Sequence, residues 1–166
     1  MAAYKSRTVD LPAFDLEGFT KIVSSGGEQY GEVKHDGRWE ILRALSSATD
    51  GMIYGVASED SECPQGKYRY TIAIKNIGQS IDGAALPERL FPIHIPASTW
   101  VVFTLNNFAA QYGQFWQDNP YSLIEQMDWQ FNWEVGLHID VYAPSFSRDE
   151  DPMEFYMPVC QRTQRG

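Results

Sequence analysis

Three side chains that could do chemistry alternate along one short apolar segment near the C-terminal end of the chain. His138, Asp140 and Tyr142 are separated by single apolar residues, a pattern that predicts a β-strand with one face in the core. Period two puts an imidazole, a carboxylate and a phenol in a line on the other face. That face meets either water or a cavity, and wet faces are common in antiparallel sheets. The strand alone leaves both alternatives open.

Tyrosines alternate in the same way in two strands predicted earlier in the chain. Tyr68 and Tyr70 share one face of the segment 68–75, and Tyr54 lies in the segment 52–57. Aromatic rings around one acid suit a lipophilic cation. Each ring adds about 0.5–2 kcal/mol of cation–π attraction, and a carboxylate balances the charge that the ligand carries into a low dielectric. These residues predict a cavity that binds an organic cation.

Three aromatic residues, Trp129, Phe131 and Trp133, crowd the segment 127–134. Trp129 and Trp133 could close over a cavity or pack in the core, and the sequence favours neither. Phe131 falls on the apolar stripe of a helix that we expect to begin after an Asn119 cap, so the core is preferred for it. The stripe consists of Leu123, Ile124, Met127 and Phe131.

Length, charge and composition restrict the class of protein. The 166 residues fit a single domain, 1–166, with a core of its own. The net charge of −9, from 13 basic and 22 acidic residues, argues against direct binding of nucleic acid, which needs clustered Lys and Arg. An aromatic content of 14% exceeds what a packing core requires, which favours a ring-lined site.

Cysteine and histidine usage argues against metal binding and export. Cys63 and Cys160 lack the spacing of a metal or redox motif, so we expect free thiols in a reducing compartment. The three histidines lie far apart and no nucleotide-binding motif occurs, so neither a metal nor a cofactor is predicted. No segment resembles a signal peptide or a membrane span, which predicts a cytoplasmic protein without a membrane partner.

Two passes through the same order of elements organise the chain. Strand, helix, strand, strand is predicted over about 8–77 and again over about 90–160, with a linker at 78–88. The first pass has an extended segment 8–24, a helix 36–45, and strands 52–57 and 68–75. The second has strands 91–97 and 99–105, helices at 108–116 and from 119, and strands 136–142 and 153–159. Tandem β-α-β-β repeats predict an α+β fold with pseudo-two-fold symmetry, in which an antiparallel sheet and flanking helices form a central ligand groove.

Several of these segments resemble the motifs of one protein family. Residues 95–103 (IPASTWVVF) resemble its "iPA" strand, residues 140–142 (DVY) its "E.Y" signature, and residues 154–159 its closing strand. Residues 54–56 and 70–74 resemble the strands of its first half. In this order, and over most of the chain, the motifs resemble GyrI-like proteins, also described as AraC-type or bacterial transcription activator effector-binding domains.

The resemblance implies a function and a set of site residues. It implies a hydrophobic pocket that often binds cationic, lipophilic drugs through aromatic rings and one acid. Matched by position, the acid is Asp140 and the signature tyrosine is Tyr142, with Glu134 as the alternative acid. The other positions expected near the pocket are Tyr54, Tyr70 and Trp100.

Two other functions stay open as alternatives. Some relatives resemble hydrolases that open reactive cyclopropane rings, a role in which Asp140 and Tyr142 would be catalytic. The sequence offers no nucleophile or metal for that chemistry, so binding without catalysis is preferred. Other relatives inhibit DNA gyrase through a protein interaction. A homodimer is compatible with each function, and a regulator would need a separate DNA-binding partner because the two repeats leave no residues for a helix-turn-helix.

Overall fold

The first half of the chain consists of two strands, two helices and two further strands. The computed structural model describes residues 4–76 and 86–162. The elements of the first half are β1 (Lys5–Leu11), β2 (Phe14–Val23), α1 (Gly26–His35), α2 (Arg38–Ser46), β3 (Ile53–Ser58) and β4 (Tyr68–Lys75). Helix α1 begins where the Ser25 hydroxyl accepts a hydrogen bond from the Gly27 amide, which satisfies one of the free N–H groups of the first turn.

The second half repeats this order of elements with one additional short strand, β7. It comprises β5 (Phe91–Ile95), β6 (Ser98–Leu105), α3 (Phe108–Asp118), α4 (Pro120–Glu125), β7 (Trp129–Phe131), β8 (His138–Tyr142) and β9 (Met153–Gln161). The Asn107 side chain caps α3 by accepting from the Ala110 amide. Asn119 caps α4 with Pro120 in the first turn, which confirms the helix start predicted from the sequence.

All described strands join one antiparallel sheet in the order β1-β6-β9-β8-β3-β4-β2-β5, and β7 extends the ladder of β9. The order is symmetric about the pair formed by β8 and β3, because β8, β9 and β6 of the second half mirror β3, β4 and β2 of the first. Strand β1 pairs with β6 and strand β5 with β2, so each half lends one strand to the other. The predicted α+β fold with an antiparallel sheet is confirmed.

The two faces of the sheet carry separate apolar clusters. The first cluster combines residues of all four described helices with alternate strand residues such as Tyr70, Phe103 and Phe155. The second cluster contains Tyr54 and Trp100 and, within the described residues, no helical residue. The helices therefore pack on one face of the sheet, because successive strand residues point to opposite faces.

Several predicted elements are wrong in extent. The segment 8–24 forms two strands, and β1 and β2 lie in opposite halves of the sheet. Helix α1 was not predicted, because its three glycines lower helix propensity, which packing against β2 and β4 offsets. The predicted linker at 78–88 lies mostly outside the described residues.

The helix after Asn119 is shorter than its apolar stripe suggests. It ends at Glu125, and Asp128 then takes a positive φ of 65° that stops any continuation. Residues Trp129–Phe131 turn back and pair with β9 as strand β7. Phe131 is buried as predicted, but as a strand residue, so the apparent helical stripe at this point spans two elements.

The state of the cysteines and the lengths of the helices bear on the expected free thiols and on the expected lack of a membrane span. Cys63 and Cys160 are both free thiols in the structure. The longest described helix, α3, has 11 residues. None of the helices in residues 4–76 and 86–162 combines the length and apolarity that crossing a bilayer requires.

The close approach of β2 to β4 requires a glycine at position 18. A Cβ atom there would lie 2.1 Å from the carbonyl oxygen of Ile72 and 2.5 Å from the Cα of Ala73, both of which are backbone atoms that cannot turn away. We expect Gly18→Ala to lower the free energy of unfolding by roughly 1–3 kcal/mol in urea denaturation. Gly31→Ala is the control, because a Cβ on that helical residue meets nothing within 4 Å; it should raise stability by about 0.5–1 kcal/mol. Equal effects of the two changes would contradict the close approach.

Candidate ligand-binding site

A cavity of about 720 Å³ opens between the helix-bearing face of the sheet and helices α1 and α3. Both halves of the chain build its wall, β3 and β4 from the first, β8 and α3 from the second. This volume is within the range of small-molecule pockets. Its aromatic lining consists of Tyr30, Tyr68, Tyr70, Phe108, Tyr112, Trp116, Tyr121, Phe131, Trp133 and Tyr142.

Asp140 supplies a buried carboxylate to this aromatic wall. The side chain is 1% exposed. The Tyr70 hydroxyl donates a hydrogen bond of 2.6 Å to Oδ2, and the Tyr112 hydroxyl lies 3.0 Å from Oδ2 and 3.1 Å from Oδ1. Two phenols, one from each half of the chain, therefore hold the carboxylate in a fixed orientation.

Gly55 makes room for this arrangement. It lies opposite Asp140 in the pairing of β3 with β8. A Cβ atom on Gly55 would lie 2.1 Å from the Tyr70 hydroxyl oxygen and 3.4 Å from the Cβ of Asp140. The missing side chain thus leaves the space through which the Tyr70 ring reaches the carboxylate.

The charge of Asp140 has no partner of opposite sign. Burial raises the pKa of the carboxyl to about 6, although the hydrogen bonds from Tyr70 and Tyr112 act in the opposite direction. Across residues 4–76 and 86–162, no salt bridge reaches this side chain. Burial, followed by the nearby Asp140 charge, keeps the pKa of both tyrosines well above its usual value, so their hydroxyls stay protonated and act as donors.

His138 adds a neutral ring to the wall beside Asp140. Its imidazole packs between Trp116, at 5.1 Å between ring centroids, and Phe155, at 5.0 Å. Burial lowers the pKa of His138 to about 4, so the ring is uncharged at neutral pH. His138 therefore does not compensate the Asp140 charge.

Tyr142 forms the inner end of the cavity. It is 1% exposed and packs in an aromatic cluster, with ring centroids 5.4 Å from Trp39, 5.7 Å from Tyr30 and 4.8 Å from Phe146. Its pKa is raised well above the usual value by burial and by the Asp140 charge. A ligand at Asp140 would meet the end of this cluster.

Trp133 marks the outer end of the cavity. The side chain lines the cavity and yet is 74% exposed, which is unusual for a large aromatic residue. It stacks on Tyr121 with an interplanar angle of 14° and a centroid distance of 6.3 Å, and it meets the edge of Phe131 at 4.5 Å. The cavity therefore runs from a buried end at Tyr142 to an open aromatic rim.

The structure brings together five of the predicted site residues. Of these residues, the ones that line the cavity are Tyr68, Tyr70, Trp133, Asp140 and Tyr142. Of the two acids that the sequence left open, Asp140 faces the cavity, whereas Glu134 is exposed and lies outside it. Trp129 is half-buried against the first apolar cluster, in β7, and also lies outside the lining.

The predicted positions of Tyr54 and Trp100 beside the cavity are wrong. Both rings belong to the second apolar cluster, on the opposite face of the sheet. The Tyr54 hydroxyl donates to Asp50 there, and Trp100 packs against Tyr156. The physical reason is the alternation of strand side chains: because Gly55 faces Asp140 and the cavity, its neighbour Tyr54 must face away.

Sequence reasoning missed the contribution of helix α3. Phe108, Tyr112 and Trp116 all line the cavity, and Tyr112 binds Asp140 directly. Their spacing of four residues puts them on one face of a helix, a signal that the sequence does contain. Tyr30 was missed because it lies in the unpredicted helix α1, and Tyr121 because it falls outside the apolar stripe of α4.

A ring-lined cavity with one buried acid, enclosed by two symmetric halves of a single sheet, defines an effector-binding domain. A family model, Cass2, described as an integron-associated effector binding protein, matches residues 7–159. The chain belongs to this GyrI-like family, and the resemblance drawn from its motifs is confirmed. No curated protein sequence matches the chain.

Solved structures share the fold at low sequence identity. SAV2435 bound to tetraphenylphosphonium aligns with a TM-score of 0.69 at 17% identity, over 94% of each chain. The C-terminal domain of EcmrR gives 0.65 at 13% identity, over 97% of this chain and 100% of that one. The integron cassette protein VCH_CASS2 from the mobile metagenome of Vibrio cholerae gives 0.53 at 13% identity, over 93% and 95%. These likenesses show a common fold.

The raised pKa of Asp140 predicts a specific dependence of stability on pH. An ordinary aspartate in the unfolded chain ionises near pH 3.9, whereas the folded protein holds its proton up to about pH 6. The folded state therefore binds more protons between these values, and stability from this group falls as pH rises through the window, by roughly 3 kcal/mol in total. Above about pH 6 the contribution is constant.

Asp140→Asn isolates this effect in urea denaturation between pH 4 and pH 7.5. We expect the variant to gain stability relative to the wild type as pH rises to about 6, because its amide carries no charge to bury. The difference between the two curves is the quantity to measure, since His138, with its lowered pKa, contributes stability that rises with pH in the same window. A difference that does not change with pH would contradict an unpaired buried carboxylate.

Proposed function

We propose that the protein is a non-catalytic cytoplasmic receptor for a small organic cation of lipophilic, aromatic character. The observation that carries the proposal is the Asp140 carboxylate, which is buried in the cavity wall without a cationic partner in the described residues. A buried charge is unfavourable unless it is paired. A cationic ligand would provide the missing charge, and its binding would stabilise the ionised form of Asp140.

The aromatic lining supports a cation rather than a neutral ligand. Each ring facing a bound cation would contribute about 0.5–2 kcal/mol, and most where water is excluded. Tyr70 and Tyr112 direct their hydroxyl hydrogens at Asp140. The two hydroxyl groups are therefore occupied, and the faces of the surrounding aromatic rings remain to contact the ligand. The aromatic contact area of the cavity wall and the need to compensate the Asp140 charge together favour a flat or bulky aromatic cation.

The same hydrogen bonds favour binding over hydrolysis. A general base must be basic enough to take a proton from the attacking water. The hydrogen bonds from Tyr70 and Tyr112 lower the basicity of Asp140, and Tyr142 packs deep in an aromatic cluster. Asp140 is thus arranged as a fixed counter-charge.

The relatives support the choice of ligand class. SAV2435, which shares the fold, is bound to tetraphenylphosphonium, a lipophilic aromatic cation. In this chain such a ligand would occupy the cavity beside Asp140. Ligand binding could serve sequestration within this domain, or sensing through a second copy or a separate DNA-binding partner.

Replacement of the counter-charge tests the proposal directly. We expect tetraphenylphosphonium to bind the wild type in isothermal titration calorimetry, and Asp140→Asn to weaken binding by roughly tenfold or more, because a desolvated charge pair is lost. Glu134→Gln removes an equal charge from an exposed position outside the cavity and should leave affinity unchanged. Neutral triphenylphosphine oxide should bind the wild type and Asp140→Asn with equal affinity. Equal tetraphenylphosphonium affinity of wild type and Asp140→Asn would refute the proposal.

The affinity for a permanent cation should also depend on pH. Below about pH 6 the free protein holds a proton on Asp140, and the cation must displace it. We expect tetraphenylphosphonium affinity to fall as pH drops below that value, by at most about tenfold per pH unit and no further than the affinity of Asp140→Asn, and to level off above it. Asp140→Asn should abolish this slope, and a slope that persists in the variant would assign it to another group.

A further inference from the structure

A second carboxylate lines the same cavity at its outer end. Glu59 follows the last residue of β3 and is exposed, whereas Asp140 is buried. In the part of the chain that the structure describes, the Glu59 carboxylate forms neither an ion pair nor a hydrogen bond with another side chain. The other acids of the same loop, Asp60 and Glu62, both pair with Arg69. Glu59 is therefore distinguished from its neighbours by facing the cavity without a partner.

The pairing of β3 with β8 fixes the distance between the two acids. Gly55 lies opposite Asp140 and Ala57 opposite His138, so both face the cavity. Glu59 is the first residue after the end of β3 and also lines the cavity. Glu59 is four residues beyond Gly55. At about 3.3 Å per residue, its backbone lies roughly 13 Å from that of Asp140 along the floor of the cavity.

Aromatic rings lie at the same end of the cavity as the Glu59 carboxylate, as they do around Asp140. Trp133, 74% exposed, and Tyr121 stack on each other at this end of the cavity. The Glu59 charge reaches Tyr121, whose pKa is raised by burial and, second, by this carboxylate. Glu59, Tyr121 and Trp133 thus repeat at the rim the combination of an acid with rings that Asp140 forms at depth with Tyr70 and Tyr112.

The wall between the two ends carries no charge. Ala57 and the rings of Trp116 and His138 line this stretch, and His138 is neutral at physiological pH. An apolar spacer would bury its surface there at about 25 cal/mol per Å². The cavity therefore offers two anionic, aromatic ends joined by an apolar middle.

We infer that the cavity is built for an elongated organic dication, with one cationic head at Asp140, the other at Glu59 against the exposed Trp133 ring, and an apolar spacer between them. The inference rests on the proposed cation-binding function and adds to it the length and the charge of the ligand. It also gives the exposed Trp133 ring a contact, because the outer head would lie against it. A single compact cation would leave the Glu59 charge and this rim unused.

Two matched ligands test the inference. Decamethonium carries trimethylammonium heads at both ends of an alkyl chain whose extended length suits a span of roughly 13 Å, and decyltrimethylammonium carries the same chain with one head. We expect calorimetry to show tighter binding of decamethonium to the wild type. Glu59→Gln should weaken decamethonium by roughly threefold, the effect of an exposed charge pair, and leave decyltrimethylammonium unchanged. Asp140→Asn should weaken both ligands.

Glu134→Gln is the matched control, because it removes the same charge next to Trp133 from a side chain outside the cavity. It should change neither affinity. If Glu59→Gln alters the two dissociation constants equally, or alters neither, the dication inference is overturned while Asp140-dependent binding of decyltrimethylammonium still supports the proposed function. If neither ligand binds the wild type, the dication inference is overturned, while Asp140-dependent binding of tetraphenylphosphonium still supports the proposed function. If tetraphenylphosphonium binding does not depend on Asp140 either, both are overturned.

Discussion

The burial of one ionisable carboxylate without a compensating cation is the constraint around which the cavity is organised. A charge in this position is tolerable only because two phenolic hydroxyls point at it, and because no larger side chain occupies the space that they need. Asp140, Tyr70, Tyr112 and Gly55 therefore form one unit, drawn from β8, β4, α3 and β3. Removal of any member changes the surroundings of the charge.

The symmetry of the sheet explains how this unit is assembled. The two halves meet at the pair formed by β3 and β8, and Asp140 lies on one side of this junction with Gly55 on the other. The helices of both halves pack on the same face, so the groove above the junction is walled on two sides by aromatic side chains. A site between repeats follows from the duplicated architecture, as ligand grooves between packed units commonly do.

The electrostatics of the molecule agree with this arrangement. The net charge of −9 favours the approach of cations, although most acidic side chains are exposed and contribute only a screened field. The specific contribution comes from two carboxylates in different surroundings. Asp140 is desolvated and held by hydrogen bonds, and Glu59 is solvated and faces a pair of stacked rings. In the proposed function, the buried carboxylate has the larger effect on affinity, and the carboxylate at the rim affects which ligand fits.

The sequence by itself determined which residues share a face within each strand. Alternation put Asp140 with Tyr142 and Tyr68 with Tyr70, and the repeated order of elements predicted the α+β fold. It did not determine which of the two faces carries the cavity, since that depends on the register between strands far apart in the chain. Tyr54 and Trp100 were assigned to the wrong face for this reason.

Only the tertiary structure decided which other elements complete the site. The sequence places Tyr112 at a helical spacing from Phe108 and Trp116, but the packing of α3 against the sheet brings its hydroxyl to Asp140. The choice between Asp140 and Glu134 as the cavity acid depended likewise on the turn that leaves Glu134 outside. Local periodicity fixes the direction of a side chain relative to its own strand or helix, whereas the neighbour it meets is fixed by long-range pairing and packing.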